Sequence, residues 1–400
     1  MSKLVLFFTR PFEAVHLKKD VGLFPLYFKR YFDEVEIAYF SSSQIENEIP
    51  DEYKGLKLVK LGKIKDFYIR GYRQYFQRNK IKKIFIKHIR DDSKITHIMF
   101  FHWSYTKLYY VNAIKNVYPN IKIYLKMDCD IPFAEQVSNK WAIRHSGIKG
   151  LLYNRILFRG MKNLSLITAE TEAVCNILRK NELFSKKTFA ALNGYDDDLY
   201  QKTSPDYKEK LIITVGRLGT NQKNTELLLE IIKELDLSDW KFHLIGPIEE
   251  EFKSVIEQFY ILRSDLKEKV IFTDVITDSK KLMNEYKKSA IFVLTSRFEG
   301  SALVLTEAAI NGCYICSTDV GAIGEISSEN HYCWICPDSK TGEQNIDLIK
   351  EHFSKKLQDL INNPTSVYDN YEERCEFYKT HFLMSKIIDN DFFKNFSVND

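Results

Sequence analysis

Short runs of apolar residues recur along the chain and alternate with stretches that read as helical. The runs of the first half are KLVLFFT from Lys3, VEIAYF from Val35, ITHIMFFHW from Ile95, IKIYLKMD from Ile121, LSLITA from Leu164 and TFAALNG from Thr188. Runs apolar on both faces suit strands covered on both sides, and their alternation with helical stretches predicts a mostly parallel sheet between two helix layers. The pattern pauses over the polar stretch Asp196 to Lys210, which contains Pro205 and reads as a linker. It restarts with LIITVG from Leu211, WKFHLIG from Trp240, VIFTD from Val270, AIFVLTS from Ala290 and YICSTD from Tyr314, with helices from Thr225, Glu249, Ser279 and Leu303. From Asn345 the chain reads as largely helical. The fold class expected is α/β with two doubly wound Rossmann-like domains, residues 1–200 and 207–380, and a C-terminal helix over 381–400. A chain of 400 residues exceeds the ~250–300 at which a single core stops growing.

Charge changes this picture more than composition does. The net charge of +4 conceals 34 Lys/Arg against 21 Asp/Glu in residues 1–200, a net of +13, and 24 against 33 in residues 201–400, a net of −9. Between Lys54 and Arg90 lie 13 basic residues against the single acid Asp66, interleaved with Phe67, Tyr68, Tyr72, Tyr75, Phe76 and Phe85. A basic, aromatic-rich helix there suits an anionic membrane surface; a solvated helix with its aromatics in the core is the competing reading. No nucleic-acid motif accompanies the charge, so nucleic acid is not an expected partner. No apolar run approaches the ~18 residues of a bilayer span, and LVLFF is cut short by Arg10 and Pro11, so it reads as a first strand and not as a signal peptide. A cytoplasmic protein, peripheral on the membrane at most, is expected. Cys313-x2-Cys316 and Cys333-x2-Cys336 have zinc spacing on paper. Tyr314-Ile315 and Trp334-Ile335 fill their gaps, so the pairs read as buried strand residues and no metal is expected.

The richest candidate chemistry spans Ala290 to Ala309. A buried strand ends at Leu294, a helix opens at Leu303, and Arg297 to Ala302 forms the turn at the carboxyl end of the strand, where open α/β sheets bind ligands. Gly300 allows close backbone approach, and Glu299 and Glu307 place two carboxylates on one rim. After LIITVG come Gly216, Arg217, Lys223 and Asn224. An arginine fork and a lysine point charge on one loop suit a diphosphate.

Phe298-Glu299-Gly300-Ser301 with Glu307-Ala308 resembles the E-x7-E signature of retaining, nucleotide-sugar-dependent glycosyltransferases of the GT-B fold, family 4. G-R-x5-K-N from Gly216 to Asn224 is similar to that family's phosphate clamp. The resemblance implies two such domains facing across a cleft that holds the donor, with the tail crossing back to the first domain. It implies donor-sugar contact by Glu299, ribose contact by Glu307, backbone amides presented by Gly300, Ser301, Ala302 and Leu303, and a base held at Thr273-Asp274-Val275. Asp274 replaces a usual glycine there. Gly321-Ala322-Ile323-Gly324-Glu325 resembles the G-G-x-P-E turn but lacks its second glycine and proline, so no contact is expected of it.

In the first domain Gly22, in Lys18-Lys19-Asp20-Val21-Gly22, is the candidate for a phosphate-touching glycine. Where many relatives carry a histidine facing the reacting carbon, this chain has Met127 and Asp128; Asp128 is the expected catalytic group and His102 its competitor. Asp128-Cys129-Asp130 also spells the metal-binding D-x-D of another glycosyltransferase fold, but the cations of the second domain supply the neutralisation a metal would. The expected activity is metal-independent transfer of a sugar, with retention, from a nucleotide-diphosphate sugar to a glycan or lipid-linked acceptor in surface polysaccharide or glycolipid synthesis. The alternatives are a sugar-nucleotide epimerase or hydrolase of the same fold, or a non-catalytic partner subunit.

Overall fold

The computed structural model describes residues 2–42, 48–64, 77–140, 147–329, 331–342 and 344–392. The chain divides into two compact units, Met1–Ala191 with Ile387–Asp400, and Leu192–Lys386. The stretch read as a linker is packed into the second unit, because the Lys208 ammonium donates to the carbonyls of Ser289 at 2.9 Å and Asn311 at 2.6 Å.

The first unit is built on an eight-stranded sheet. Its strands are β1 (Lys3–Pro11), β2 (Glu34–Ser42), β3 (Glu52–Tyr53), β4 (Leu56–Ile64), β5 (Ile95–Phe101), β6 (Lys122–Lys126), β7 (Leu166–Ala169) and β8 (Thr188–Ala190). They lie in the order β3-β4-β2-β1-β5-β6-β7-β8, all parallel except the short β3–β4 pair. Leu4 to Phe7 on β1 are fully buried, as a strand covered on both faces requires. Part of the basic stretch departs from expectation: Leu56–Ile64 is a strand, and among the described residues of the stretch a helix spans Arg78–Asp91. In LKLVKLGKI the lysines recur every third residue; Lys57, Lys60 and Lys63 are exposed, while Leu56, Leu58 and Ile64 are buried. Phe85 of that helix is fully buried and stacks on Phe7 at 4.1 Å. Phe67, Tyr68, Tyr72, Tyr75 and Phe76, on which the membrane reading rested, lie outside the described residues.

The second unit has six parallel strands, β9 (Glu209–Val215), β10 (Lys241–Ile245), β11 (Val270–Thr273), β12 (Ser289–Leu294), β13 (Tyr314–Ser317) and β14 (Cys333–Ile335). Their order β11-β10-β9-β12-β13-β14 reverses direction between β9 and β12, which pair with Ile291 opposite Ile212. Loops leaving adjacent strands toward opposite faces open a crevice at such a point. Every residue of β12 is buried. Among the described residues no helix is long and apolar enough to cross a membrane.

Candidate functional site

The loops after β9 and β12 leave the sheet at the reversal of strand order and are joined by side chains. Gly216 follows β9, and a Cβ placed there would stand 3.0 Å from Lys223 Cε, so the missing side chain lets the lysine stem lie on the backbone. Asn224 takes φ 51°, turning the loop into the helix Thr225–Glu234. From the other loop, the Arg297 amide donates to Gln222 O at 2.8 Å and its guanidinium to Asn224 Oδ1 at 2.9 Å.

Glu299 is where the two loops meet. Its Oε1 accepts from Lys223 Nζ at 2.7 Å and from Ser296 Oγ at 2.7 Å, and its Oε2 from Gln222 Nε2 at 3.1 Å. The two charged side chains are only 15% and 7% exposed for Lys223 and Glu299, so the pair is held out of bulk water. Arg217 is exposed and donates to Gln222 Oε1 at 3.0 Å, leaving most of its fork toward solvent. Gln222 thus steers both the arginine and the carboxylate. Gln222 and Ser296 were missed in the sequence, which shows polar loop residues but not which ones face each other.

Beyond Glu299 and Gly300, Ser301 is buried and its hydroxyl has no partner among the described residues. Ala302 adopts φ 57°, ψ 74°, and the helix Leu303–Ile310 follows. The first amides of a helix lack intrahelical acceptors, so the turn presents donors to an oxygen-rich ligand. One turn in, Glu307 accepts from the Tyr286 hydroxyl at 2.8 Å. Burial pushes its carboxyl up to about 7, against the opposing pull of the Tyr286 hydrogen bond and the Lys223 charge. Gly321, to which no contact was assigned, sits at φ 59°; a Cβ there would lie 2.9 Å from Ser301 O and 3.1 Å from Glu299 Cβ. The Ala322 amide donates to Ser301 O at 3.1 Å. This third loop backs the turn. Val275, just past the edge strand β11, is 56% exposed, and its amide donates to Asp274 Oδ1 at 2.7 Å.

In the first unit the strand order reverses between β1 and β5. His102 follows β5 and Asp128 follows β6, and the two rivals of the sequence are neighbours, with Nδ1 and Oδ2 3.5 Å apart. His102 takes φ 61°, a strained conformation for histidine. Burial, reinforced by Lys107, Arg10 and Lys126, lowers its pKa to about 3, so the ring is neutral and the contact dipolar. Gly22 departs from the expected phosphate loop. It is buried inside the helix Asp20–Phe28, its amide donates to Lys19 O at 3.0 Å, and a Cβ would meet the Leu17 backbone at 2.5 Å. Close packing is its physical reason. Asp130 caps the helix Ile131–Lys140 through the Phe133 amide at 2.9 Å. Cys313, Cys316, Cys333 and Cys336 are all buried free thiols, and Cys313 Sγ is bonded to Tyr286 O at 3.2 Å.

Residues 209–358, which carry Arg217, Lys223, Glu299 and Glu307, match the family described as "Glycosyl transferases group 1". Over 120 residues the chain is 32% identical to the amylovoran biosynthesis glycosyltransferase AmsD of Erwinia amylovora, a stretch covering 30% of each chain. A second relative, from the cps region of Klebsiella pneumoniae, is 27% identical over 45% of each chain. The chain thus spans less than half the length of these curated relatives. Among solved structures, HepE of Anabaena in complex with UDP superposes with a TM-score of 0.67 at 14% identity, over 97% of both chains. These likenesses show the GT-B fold, with its two parallel-sheet domains.

Proposed function

We propose that this GT-B chain, whose residues 209–358 belong to the group 1 glycosyl transferases, moves a sugar from a nucleotide-diphosphate donor to an acceptor hydroxyl with retention at the anomeric carbon. The single observation that carries the reading is the Lys223–Glu299 pair joining the two loops at the strand-order reversal. Lys223 and Arg217 take the diphosphate, and they neutralise the charge that grows on the leaving group without a metal ion. Glu299, held by Lys223, Ser296 and Gln222, turns a fixed carboxylate to the sugar hydroxyls. The Gly300 to Leu303 turn offers amides, Glu307 takes the ribose, and Val275 lies where the base rests. In the first unit Asp128, beside a neutral His102, steadies the oxocarbenium-like centre. HepE is named as a UDP complex and AmsD as an amylovoran enzyme, which supports a nucleotide-sugar donor and a role in surface polysaccharide or glycolipid synthesis, with a glycan or lipid-linked acceptor, on the cytoplasmic side of the membrane.

The test uses the Lys223→Ala and Glu299→Gln variants, assayed against a panel of nucleotide sugars with the anomeric configuration of the product read by NMR. Losing a preorganised charge contact costs roughly 10²–10³ in rate, and each variant should lose at least about that much in kcat/KM while the wild type works equally well in chelator. Near-full activity in either variant sinks the assignment. A product formed without acceptor points instead to an epimerase or hydrolase, and absence of nucleotide binding to a partner subunit.

A further inference from the structure

We propose that a groove among three helices of the first unit is a binding site for a phosphate or diphosphate group, independent of the sugar-transfer reading. The helices are Arg78–Asp91, Tyr105–Val117 and Gly147–Asn163, and the cavity between them measures about 260 Å³. Its lining carries Lys82, Arg155 and Arg159 and, among the described residues, no carboxylate. Neither Lys82 nor Arg155 forms an ion pair with any described residue. Three cations converging on one hollow repel one another, and an anion of charge two or more turns that repulsion into attraction.

The walls are set before any ligand arrives. Arg159 Nη2 donates to Asn116 Oδ1 at 2.7 Å, which aims the rest of its fork. The buried Asn112 amide donates to Ile156 O at 2.7 Å, and its Oδ1 accepts from Asn163 Nδ2 at 2.9 Å. The Tyr109 hydroxyl donates to Asn79 Oδ1 at 2.7 Å, and the Lys82 ammonium stands 5.5 Å from the ring centroid. Arg159, held by Asn116, loses less freedom on binding than an unheld side chain would. Two guanidinium forks and an ammonium match the several oxygens of a phosphate better than the two of a carboxylate. The volume lies below the roughly 300–1,000 Å³ of pockets for drug-sized ligands, so it suits a headgroup-sized anion. That anion comes either from a soluble phosphate ester or from a lipid. Phe158, 49% exposed beside both arginines on their helix, offers an apolar contact to the second.

The experiment compares the full-length wild type with the double variants Arg155→Ala/Arg159→Ala and Lys83→Ala/Lys87→Ala. The second removes two exposed charges that do not line the groove. One arm titrates inorganic pyrophosphate by calorimetry at low salt. The other floats vesicles of phosphatidylcholine with and without phosphatidylglycerol. Melting curves check folding, and Arg155→Gln/Arg159→Gln replaces the alanine pair if that pair unfolds. The wild type should bind at least one probe, and the arginine variant at least ten-fold more weakly, while the lysine variant stays within two-fold of wild type. Binding of pyrophosphate alone assigns the groove to a soluble ester, and binding only to phosphatidylglycerol vesicles to a lipid. Neither pair touches Lys223, so occupancy of the donor site is common to all three proteins. The proposal is overturned if the wild type binds neither probe, or if the arginine variant loses no more than the lysine variant.

Discussion

Glu307 is a carboxylate displaced far from its ordinary behaviour. Burial raises its pKa from 4.5 to about 7 despite the Tyr286 hydroxyl and the nearby Lys223 charge. Between those two values the folded chain holds a proton that the unfolded chain has released. The group therefore favours the folded state in acid, and that contribution drains away as pH climbs through about 7, at about 1.4 kcal/mol per unit crossed. Glu307→Gln keeps the shape and removes the titration. The melting temperature of the wild type should fall relative to the glutamine variant from pH 5 to pH 8, and parallel curves would show the carboxyl to be ordinary.

At the scale of elements, the site is three loops that no single motif describes. The E-x7-E spacing identified the loop after β12 and the clamp pattern the loop after β9, because both lie next to apolar runs buried on both faces. The loop at Gly321 gave no such signal: its altered turn sequence hid a contact that depends on φ 59° and on an approach to Ser301 O and Glu299 Cβ. Gly22 has a reason for being glycine that the sequence does not carry, because a Cβ there would meet the Leu17 backbone at 2.5 Å and such an approach leaves no spacing to read. β4 gives no strand signal because Lys57, Lys60 and Lys63 break its apolar residues at every third position, a spacing nearer that of a helix than of a strand. Gly321→Ala should therefore act through geometry. A left-handed side chain costs roughly 1–2 kcal/mol, and the Cβ would press on Ser301 and Glu299. Thermal melting should show a loss of about that size together with a transfer rate at least ten-fold lower, whereas a variant as active as wild type would show that Gly321 does not hold Glu299 in place.

The whole molecule contains two hydrophobic cores, one around residues such as Phe85, Tyr110 and Leu125, the other around Trp240, Leu244 and Phe353. They also differ in sign, with basic residues in excess in the first half of the chain and acidic residues in the second. An anionic donor is therefore bound, on the present reading, within the acidic half, and local cations have to overcome the field around them. Arg217 and Lys223 do this at one loop, with Lys223 kept in place by Glu299. Binding confined to one unit has a calorimetric consequence. A ligand at 100 times its Kd stabilises the state it binds by about 2.7 kcal/mol, and for a unit near 200 residues each kcal/mol raises the melting temperature by roughly 2–4 °C. Saturating uridine or guanosine diphosphate should then raise the transition of Leu192–Lys386 by roughly 5–10 °C. Lys223→Ala should abolish the shift, and the unit containing β1 to β8 should melt where it did before. A nucleotide that moved only the first unit's transition would place the donor on the wrong sheet, and with it Lys223 and Glu299.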